Sequence, residues 1–332
     1  MKKTALFGAG RIGRIHAANL AALPGVQLVA VSDPVPQAAA DLAARHGARV
    51  DTVDNIFADP AIEAVVIGSP TTTHSDLIQR AARAGKHVFC EKPVDLSASR
   101  AQQCAQAVRQ SGVACMIGFQ RRFDPTFSEA KSRMDRGVIG DPEMLVITSR
   151  DPGAPPVDYI LQSGGIFRDM LIHDFDVFRW ILCGDGDEAA WLSATGSCLT
   201  DPAIGQAGDM DSTAVTIRTR KGRLCQINTT RRAAYGYDQR FEVLGSKGML
   251  QCGNHTPTEV VQWGAGGIIG DTPENFFLQR YAAAYRLEIE HFFECLQTGA
   301  TFRTTVADGV AAQKLADAAA QSCETGQPVI LE

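Results

Sequence analysis

The sequence predicts an α/β chain with an N-terminal doubly wound parallel sheet and a C-terminal α+β domain built on a large, mostly antiparallel sheet. A glycine-rich turn, G-x-G-x-x-G, joins the first apolar run to a helical segment. Apolar runs then alternate with helical segments as far as residue 119, which is typical of a parallel sheet with right-handed crossovers. Beyond residue 190, several strands follow one another with little helix between them. We therefore expect domains at residues 1–119 and 120–332.

The composition indicates a globular protein with two cores. The chain has 332 residues, of which 45% are hydrophobic and 21% charged, ordinary values for packed domains. A net charge of −5 gives no reason to expect nucleic acid or an anionic membrane as a partner. The apolar run after Lys2 and Lys3 stops at Gly8, too early for a signal peptide, and no stretch reaches the roughly 18 apolar residues of a membrane span. We therefore expect a cytoplasmic protein.

The nine cysteines predict reduced thiols rather than disulfides or a metal site. They are scattered along the chain, and none forms a C-x-x-C pair. An odd number of cysteines without a secretion signal is typical of a reducing compartment. No cluster has the spacing of zinc ligands, so we assign no metal.

The first elements are typical of a dinucleotide-binding Rossmann fold. Residues 4–7 form a short strand, and Gly8, Gly10 and Gly13 follow where a helix begins. Gly8 permits the tight turn, Gly10 lets the backbone approach a pyrophosphate, and Gly13 lets the helix pack closely on the strand. The N–H groups at the start of the helix can then bind the phosphates. The helix should bury an apolar stripe: Ile12, Ile15, Leu20 and Leu23.

A second strand, from Val26 to Val31, leads to a candidate ribose ligand. Asp33 lies 20 residues beyond Gly13, where an acidic residue binds the ribose hydroxyls in such folds. Aspartate before proline, here Pro34, is also a common turn residue. Because the glycine fingerprint precedes it, we interpret Asp33 as a ribose acceptor. We expect NAD as the cofactor, since no arginine follows closely in sequence to receive the 2′-phosphate of NADP.

The alternation of strands and helices continues to the end of the first domain. Further strands are expected at Ala64–Ile67, His87–Cys90 and Val113–Ile117, and helices at 75–84, with Ser75 as the N-cap, and Ser97–Ser111. Polar residues that follow the first of these strands should line the cofactor: Ser69, Pro70, Thr71 and His74.

The turn Cys90-Glu91-Lys92-Pro93 lies at the carboxyl end of a strand, where ligands bind in open α/β sheets. Pro93 restricts its own φ and favours an extended Lys92, which gives that side chain a defined direction. An ordinary charged loop is the alternative for an isolated Glu-Lys-Pro triplet. Because this triplet follows a glycine fingerprint and a buried strand, we interpret Lys92 as a functional residue.

The second domain opens with a helix and continues as a series of strands. Its helices are expected at about 121–136, from the Gly164-Gly165 pair to about Leu182, and at 274–298 and 306–325. Its strands are expected around 143–149, 215–218, 224–230, 240–244, 248–252 and 259–263. The last helix, rich in alanine, can pack back on the first domain.

Asp169 and His173 lie four residues apart and should share one helical face. A carboxylate close to an imidazole holds its tautomer and stabilises its protonated form. A surface ion pair or a histidine satisfied in the core is the alternative, and spacing alone does not exclude either.

Together these motifs resemble the glucose–fructose oxidoreductase/inositol dehydrogenase/rhizopine catabolism (Gfo/Idh/MocA) family along essentially the whole chain. The resemblance rests on the glycine fingerprint, Glu91-Lys92-Pro93, and Gly164-Gly165 followed by Asp169 and His173. The segments GFQRRFD from residue 118 and YGYDQR from residue 235 resemble the inositol 2-dehydrogenase branch of that family. This implies NAD-dependent oxidation of a secondary hydroxyl of a cyclic polyol, myo- or scyllo-inositol.

The resemblance also implies roles for particular residues. His173 would be the general base, Asp169 would orient it, and Lys92 would stabilise the developing alkoxide. The residues implied to contact the cofactor are Gly8, Gly10, Arg11, Ile12, Gly13, Asp33, Ser69, Pro70, Thr71, His74, Glu91 and Lys92. Those implied to contact the substrate are Lys92, Arg121, Asp151, Arg168, Asp169, His173 and Tyr235.

Two alternatives to an inositol dehydrogenase stay open at this point. One is a dehydrogenase of an aldopyranose or another polyol on the same fold. The other is a non-catalytic redox sensor, which would keep the glycine loop but would have no use for Lys92, Asp169 and His173 together. The resemblance further implies a homotetramer joined through the antiparallel sheets.

Overall fold

The computed structural model describes residues 1–331 and forms two compact units. The first contains Met1–Phe123 and Ala284–Lys314, and the second contains Asp124–Ala283 and the chain from Leu315 onward. The first unit therefore includes a segment near the end of the chain as well as its beginning. Within residues 1–331, no helix combines the length and hydropathy that crossing a membrane requires.

The first unit is built on a six-stranded parallel sheet, which confirms the predicted doubly wound Rossmann fold. The strands stand in the order β3-β2-β1-β4-β5-β6. The chain moves outward from β1 and then returns to place β4 on the other side of β1, so these two strands meet where the order reverses. The strands are β1 (Lys2–Phe7), β2 (Val26–Ser32), β3 (Arg49–Val50), β4 (Ala64–Ile67), β5 (His87–Glu91) and β6 (Cys115–Gly118).

The helices of this part confirm the predicted alternation but correct two details. They are α1 (Arg11–Ala22), α2 (Pro36–His46), α3 (Val53–Ala58), α4 (His74–Arg83) and α5 (Ala98–Ser111), with one-turn 3-10 helices at Thr71–Thr73 and Gln120–Phe123. The buried face of α1 carries Gly13, His16, Ala17 and Leu20. Of the predicted stripe, only Leu20 is buried, and Ile12, Ile15 and Leu23 are half-buried. The small Gly13 lies on the buried face, close to the Gly8 carbonyl. Ser75 is not an N-cap: it is fully buried, and its hydroxyl bonds the thiol of Cys104.

The second unit is built on a seven-stranded sheet in the order β12-β11-β7-β10-β9-β8-β15, and a separate hairpin pairs β13 with β14. All pairs in the large sheet are antiparallel except β7 with β10, which confirms a mostly antiparallel sheet. The strands are β7 (Pro142–Arg150), β8 (Ala189–Ser197), β9 (Ser212–Thr219), β10 (Leu224–Thr230), β11 (Asp238–Gly245), β12 (Gly248–Cys252), β13 (Val261–Gly264), β14 (Gly267–Gly270) and β15 (Val329–Ile330).

The remaining helices include two that close the chain. They are α6 (Pro125–Asp135), α7 (Val157–Ser163), α8 (Ile166–Asp169), α9 (Ile172–Leu182), α10 (Pro202–Gln206), α11 (Phe277–Arg280), α12 (Ala282–Thr298) and α13 (Val306–Thr325). Phe175 and Phe178 of α9 are fully buried and belong to the core of the second unit, with apolar residues of β7, β9 and β10. The helix expected to begin at Arg121 begins instead at Pro125, behind an Asp124 side-chain cap.

The helix expected to run unbroken from Gly165 to Leu182 is two helices, so that prediction was wrong. The N–H of Leu171 donates to the carbonyl of Ile166, five residues back rather than four, at 3.1 Å. This wider turn separates α8 from α9. Asp169 is therefore the last residue of α8, while His173 lies in the first turn of α9, and the expectation of one continuous helical face does not hold.

Candidate active site

In the glycine loop after β1, packing requires glycine at positions 8 and 13 but not at position 10. A Cβ on Gly13 would lie 2.0 Å from the carbonyl oxygen of Gly8, and one on Gly8 would lie 2.6 Å from that of Gly68. Gly8 also has φ +100°, a conformation that favours glycine. Gly10 has φ −71°, and a Cβ there would meet no atom within 4 Å. The open space at Gly10 lies at the N-terminus of α1, where no side chain caps the helix, so the first N–H groups can bind a phosphate.

Asp33 lies just beyond β2, and its carboxylate connects the end of that strand to the glycine loop. One carboxylate oxygen accepts the Ala9 N–H at 2.7 Å, and the other accepts the Val35 N–H at 2.8 Å. Each oxygen retains further acceptor capacity. Asp33 is therefore both a turn residue and a carboxylate placed beside the glycine loop, so the two sequence-based interpretations are compatible.

His74 differs in character from its neighbours after β4. Ser69 and Thr71 are half-buried and Pro70 is exposed, whereas His74 is only 1% exposed. Its Nδ1 lies 2.7 Å from the Pro93 carbonyl oxygen and its Nε2 lies 2.9 Å from that of Ser69. Burial lowers the pKa of this imidazole. Its ring thus holds the loop after β4 against the segment after β5, a structural contribution that its sequence position did not show.

The carboxyl ends of β5 and β6 carry the remaining candidates of the first unit. Glu91 is 8% exposed and its Oε1 lies 2.7 Å from Nε2 of His16 on α1. Lys92 follows directly, is half-buried, and joins Pro93 through a cis peptide bond. Arg121 is buried in the 3-10 turn that follows β6. Because β1, β2, β4, β5 and β6 are parallel, the residues after all five strands lie along one edge of the sheet.

In the second unit, Asp169 is the centre of a compact polar cluster. The Tyr159 hydroxyl donates to one of its oxygens at 2.8 Å, and both terminal guanidinium nitrogens of Arg231 donate to the other oxygen at 3.3 Å each. Arg231 is only 1% exposed and also lies 3.6 Å from a carboxylate oxygen of Asp209. Burial, together with the charge of Asp169, raises the pKa of Tyr159, so this hydroxyl stays a hydrogen-bond donor. A carboxylate held from both sides is well suited to orient a neighbouring base.

The other second-unit candidates fall into different environments. Asp151 follows β7, and its backbone bonds Thr230 and Ala233. The Tyr235 hydroxyl donates to Asp238 at 2.6 Å and accepts from Arg150 at 2.9 Å. Arg168 donates to Asp317 at 2.8 Å and to a backbone carbonyl, and His173 is half-buried at the start of α9.

Sequence reasoning missed several residues of these clusters. They are His16 and Glu288 beside Glu91, and Tyr159, Asp209 and Arg231 beside Asp169. Glu288 lies 197 positions along the chain from Glu91, and Arg231 lies 62 from Asp169. No local pattern signals such contacts. A buried histidine on the helix after the glycine loop could have been suspected from the small residues around it, Gly13 and Ala17.

The parallel sheet and its glycine loop define the class of protein. A model described as "Oxidoreductase family, NAD-binding Rossmann fold" matches residues 2–119, and one described as "Oxidoreductase family, C-terminal alpha/beta domain" matches residues 131–331. The open Gly10 position and the uncapped start of α1 fit the dinucleotide that this class binds. The protein is an NAD-binding oxidoreductase. Both models are those of the Gfo/Idh/MocA family, and the chain belongs to that family.

Similar proteins cover nearly all of the chain. It is 49% identical over 317 residues to an inositol 2-dehydrogenase of Rhizobium meliloti strain 1021, a match that spans 96% of this chain and 95% of that protein. A crystal structure of a myo-inositol dehydrogenase from Corynebacterium glutamicum has a TM-score of 0.95 at 43% identity and covers 100% of this chain and 99% of that one. A scyllo-inositol dehydrogenase of Lactobacillus casei has a TM-score of 0.92 in its apo crystal structure, at 32% identity, with 99% of this chain and 98% of that one covered. The same enzyme, solved with NAD(H) and scyllo-inositol, also has a TM-score of 0.92, at 30% identity, with 99% of each chain covered.

Proposed function

We propose that this protein oxidises a secondary hydroxyl of an inositol, myo- or scyllo-, to the corresponding inosose with NAD. The observation that carries the substrate class is the full-length similarity to proteins named for inositol oxidation, one of them solved with NAD(H) and scyllo-inositol. NAD, when bound, accepts the hydride that leaves the carbinol carbon. The protein has to bind the polyol, remove the hydroxyl proton and stabilise the oxygen.

Three residues divide that work in our proposal. His173 removes the hydroxyl proton, and Asp169 holds the imidazole and stabilises the imidazolium that forms. Lys92 donates a hydrogen bond to the reacting oxygen as negative charge develops on it. Hydrogen bonds from Tyr159 and Arg231 hold the Asp169 carboxylate in one orientation, which supports the role of Asp169 in positioning His173. A positioned base of this kind contributes about 100- to 10,000-fold in rate.

A cyclic polyol presents several hydroxyls, and we assign their recognition to Arg121, Asp151, Tyr235 and Arg168, in falling strength of support from Arg121 to Arg168. Tyr235 is 42% exposed although its hydroxyl is bonded by Arg150 and Asp238, so its ring edge remains available. Arg168 is bonded to Asp317 and to the Gly164 carbonyl, which leaves fewer of its N–H groups for a hydroxyl and makes its assignment the least supported of the four.

Two other functions are tested by the same experiment. A dehydrogenase of an aldopyranose or another polyol would use the same motifs, and a non-catalytic redox sensor would need only the dinucleotide site. The experiment measures NAD reduction with myo-inositol, scyllo-inositol, other inositol isomers and a series of aldoses. We expect kcat/KM for one inositol to exceed that for every aldose by at least about tenfold, or about 1.4 kcal/mol. Faster oxidation of an aldose would favour the first alternative, and NAD binding without oxidation of any substrate would favour the second.

We further propose that the protein is a cytoplasmic homotetramer joined through the large sheets. One face of that sheet covers the core of the second unit, while the other presents half-exposed apolar side chains, among them Met144, Leu224 and Leu244. Trp263 on the separate β13–β14 hairpin is 75% exposed, a second large apolar group that contact between chains would cover. Light scattering at micromolar concentration should give the mass of four chains, and a monomer would refute this assembly.

A further inference from the structure

A buried group of three titratable side chains lies within the first unit, and two of them, His16 and Glu288, have no role in the chemistry proposed above. It consists of His16 on α1, Glu91 at the end of β5 and Glu288 on α12, which are 0%, 8% and 0% exposed. One ring nitrogen of His16 and one carboxylate oxygen of each glutamate all lie within 4.8 Å of one another. The rings of Phe89 and Tyr285 pack edge-on against His16, so the group has largely apolar surroundings.

The charges in this group do not balance if both glutamates are ionised. Glu91 accepts from His16 at 2.7 Å, but neither carboxylate oxygen of Glu288 has a hydrogen-bond partner among residues 1–331. A buried carboxylate without a partner costs far more than a buried neutral acid. Burial raises the pKa of Glu288 well above its ordinary value, and the charge of Glu91 raises it further.

A metal ion is the other occupant that a histidine and two carboxylates could hold. Ligand atoms at about 2.0–2.1 Å from a tetrahedral metal lie about 3.3 Å apart. The His16 and Glu91 atoms are 2.7 Å apart, which is a hydrogen bond and is too short for two ligands of one such ion. The observed contact therefore favours a shared proton over a metal.

We propose that Glu288 is a positioning residue that acts as a neutral carboxylic acid and donates its hydrogen to the Glu91 carboxylate, directly or through one bound water. Glu91 then joins three elements: α12 through Glu288, α1 through His16, and β5 through its own backbone. Because α1 begins at the glycine loop and Lys92 follows Glu91, this contact fixes both the dinucleotide site and the backbone of Lys92. The part that concerns Lys92 rests on the function proposed above.

Two variants of similar volume separate this role from simple core packing. Glu288→Gln keeps a neutral hydrogen-bond donor in place, while Glu288→Leu is neutral and has no donor. We expect Glu288→Gln to match the wild type in NAD affinity and in kcat with inositol. In Glu288→Leu, NAD should bind more weakly than in the wild type, and kcat should fall about ten- to a hundredfold, the cost of a small misplacement. The KM for inositol should change less than kcat, because Glu288 is not proposed to contact the substrate.

Infrared spectroscopy reads the proton directly and needs no substrate. The spectrum of the wild type at pH 7 minus that of Glu288→Gln should show the carbonyl stretch of a protonated carboxyl group. Calorimetric titration with NAD gives a second readout that remains interpretable if the protein oxidises no inositol. Absence of the carboxyl band would overturn the proposal, as would Glu288→Gln binding NAD as weakly as Glu288→Leu. A stoichiometric metal in the purified wild type that is lost in Glu288→Gln would overturn it as well. If Glu288→Leu does not fold, the infrared band and the NAD affinity of Glu288→Gln still decide.

Discussion

Two single-methyl changes in the glycine loop should separate what the fold requires from what the cofactor requires. At Gly13 a new Cβ would lie 2.0 Å from the Gly8 carbonyl oxygen, and contacts of real Cβ atoms essentially never fall below 3.0 Å. The backbone must therefore open by at least about 1 Å between α1 and the end of β1. Overpacking of this kind costs about 1–3 kcal/mol, and here both clashing groups belong to the backbone.

Gly10→Ala is the matched control, because it adds the same methyl group three residues earlier. The methyl would meet nothing within 4 Å, and the backbone at φ −71° suits alanine. Gly10 is the N-cap of α1, where alanine is less favourable than glycine, while alanine also restricts the unfolded chain. These two effects oppose each other, so the free energy of unfolding of the apoprotein should change by less than about 1 kcal/mol. The added group instead occupies the space through which the backbone approaches the pyrophosphate, so NAD affinity should fall by at least about tenfold, or about 1.4 kcal/mol.

The assay combines urea denaturation of the apoproteins with calorimetric titration of NAD. Gly13→Ala should lower both the stability and the NAD affinity, whereas Gly10→Ala should lower only the affinity. If Gly10→Ala bound NAD like the wild type, the pyrophosphate would not lie at this loop as we infer. If Gly13→Ala were as stable as the wild type, the reasoning from the 2.0 Å contact would be wrong.

Three further predictions follow from single carboxylates and from the proposed base. The wild type should prefer NAD over NADP at least about tenfold in kcat/KM. Asp33→Ala should weaken the binding of NAD and reduce the preference for NAD over NADP, because it removes a ribose acceptor and the like charge that repels a 2′-phosphate. Equal use of both cofactors by the wild type would contradict this prediction. Replacing Lys92, Asp169 or His173 by alanine should depress turnover strongly with little change in NAD affinity. In variants that combine these changes, the loss of turnover should be less than the sum of the single losses in free energy. Near-normal turnover of His173→Ala at neutral pH would exclude His173 as the base. Asp211→Asn should lower the free energy of unfolding at neutral pH by about 1.5–3 kcal/mol, since the carboxylate accepts N–H groups of Leu199, Thr200 and Asp201. Burial alone would raise the pKa of Asp211, but these bonds lower it well below 3.8. Denaturation at several pH values should therefore show the difference in free energy of unfolding between the wild type and Asp211→Asn shrinking as the pH falls below about 4. A difference independent of pH would show that the charge of Asp211 does not stabilise the fold.

The residue pattern by itself determined the first half of the fold. The parallel sheet follows from local signals, because each strand is a short apolar run and each crossover helix lies between consecutive strands. The glycine fingerprint needs only six positions and the turn they form, so the roles of Gly8, Gly10 and Gly13 follow from their spacing alone. The carboxyl edge of a parallel sheet then places Asp33, Ser69, Glu91 and Lys92 along one line without knowledge of their contacts.

The second sheet needed the tertiary structure. Its strands could be located, but the pairing of β10 with β7 is parallel and joins segments about 80 residues apart, while β15 from the end of the chain pairs with β8. Strand pairing across such distances depends on which surfaces meet when the chain closes, and alternation within one strand does not encode it. The sequence also did not predict the break between α8 and α9. That break depends on one hydrogen bond, in which the Leu171 N–H donates to the carbonyl five residues back instead of four.

Only the tertiary structure decided which groups surround the candidate residues. The sequence singled out Asp169 and Glu91, but Arg231 and Glu288 reach them from remote segments, and nothing in their own neighbourhoods indicates it. Electrostatics in a protein interior is set by what lies within a few ångströms in space, whatever the separation along the chain. Residue types and their spacing therefore identify the chemistry available to this protein, while packing determines which carboxylates stay charged and which side chains hold them in place.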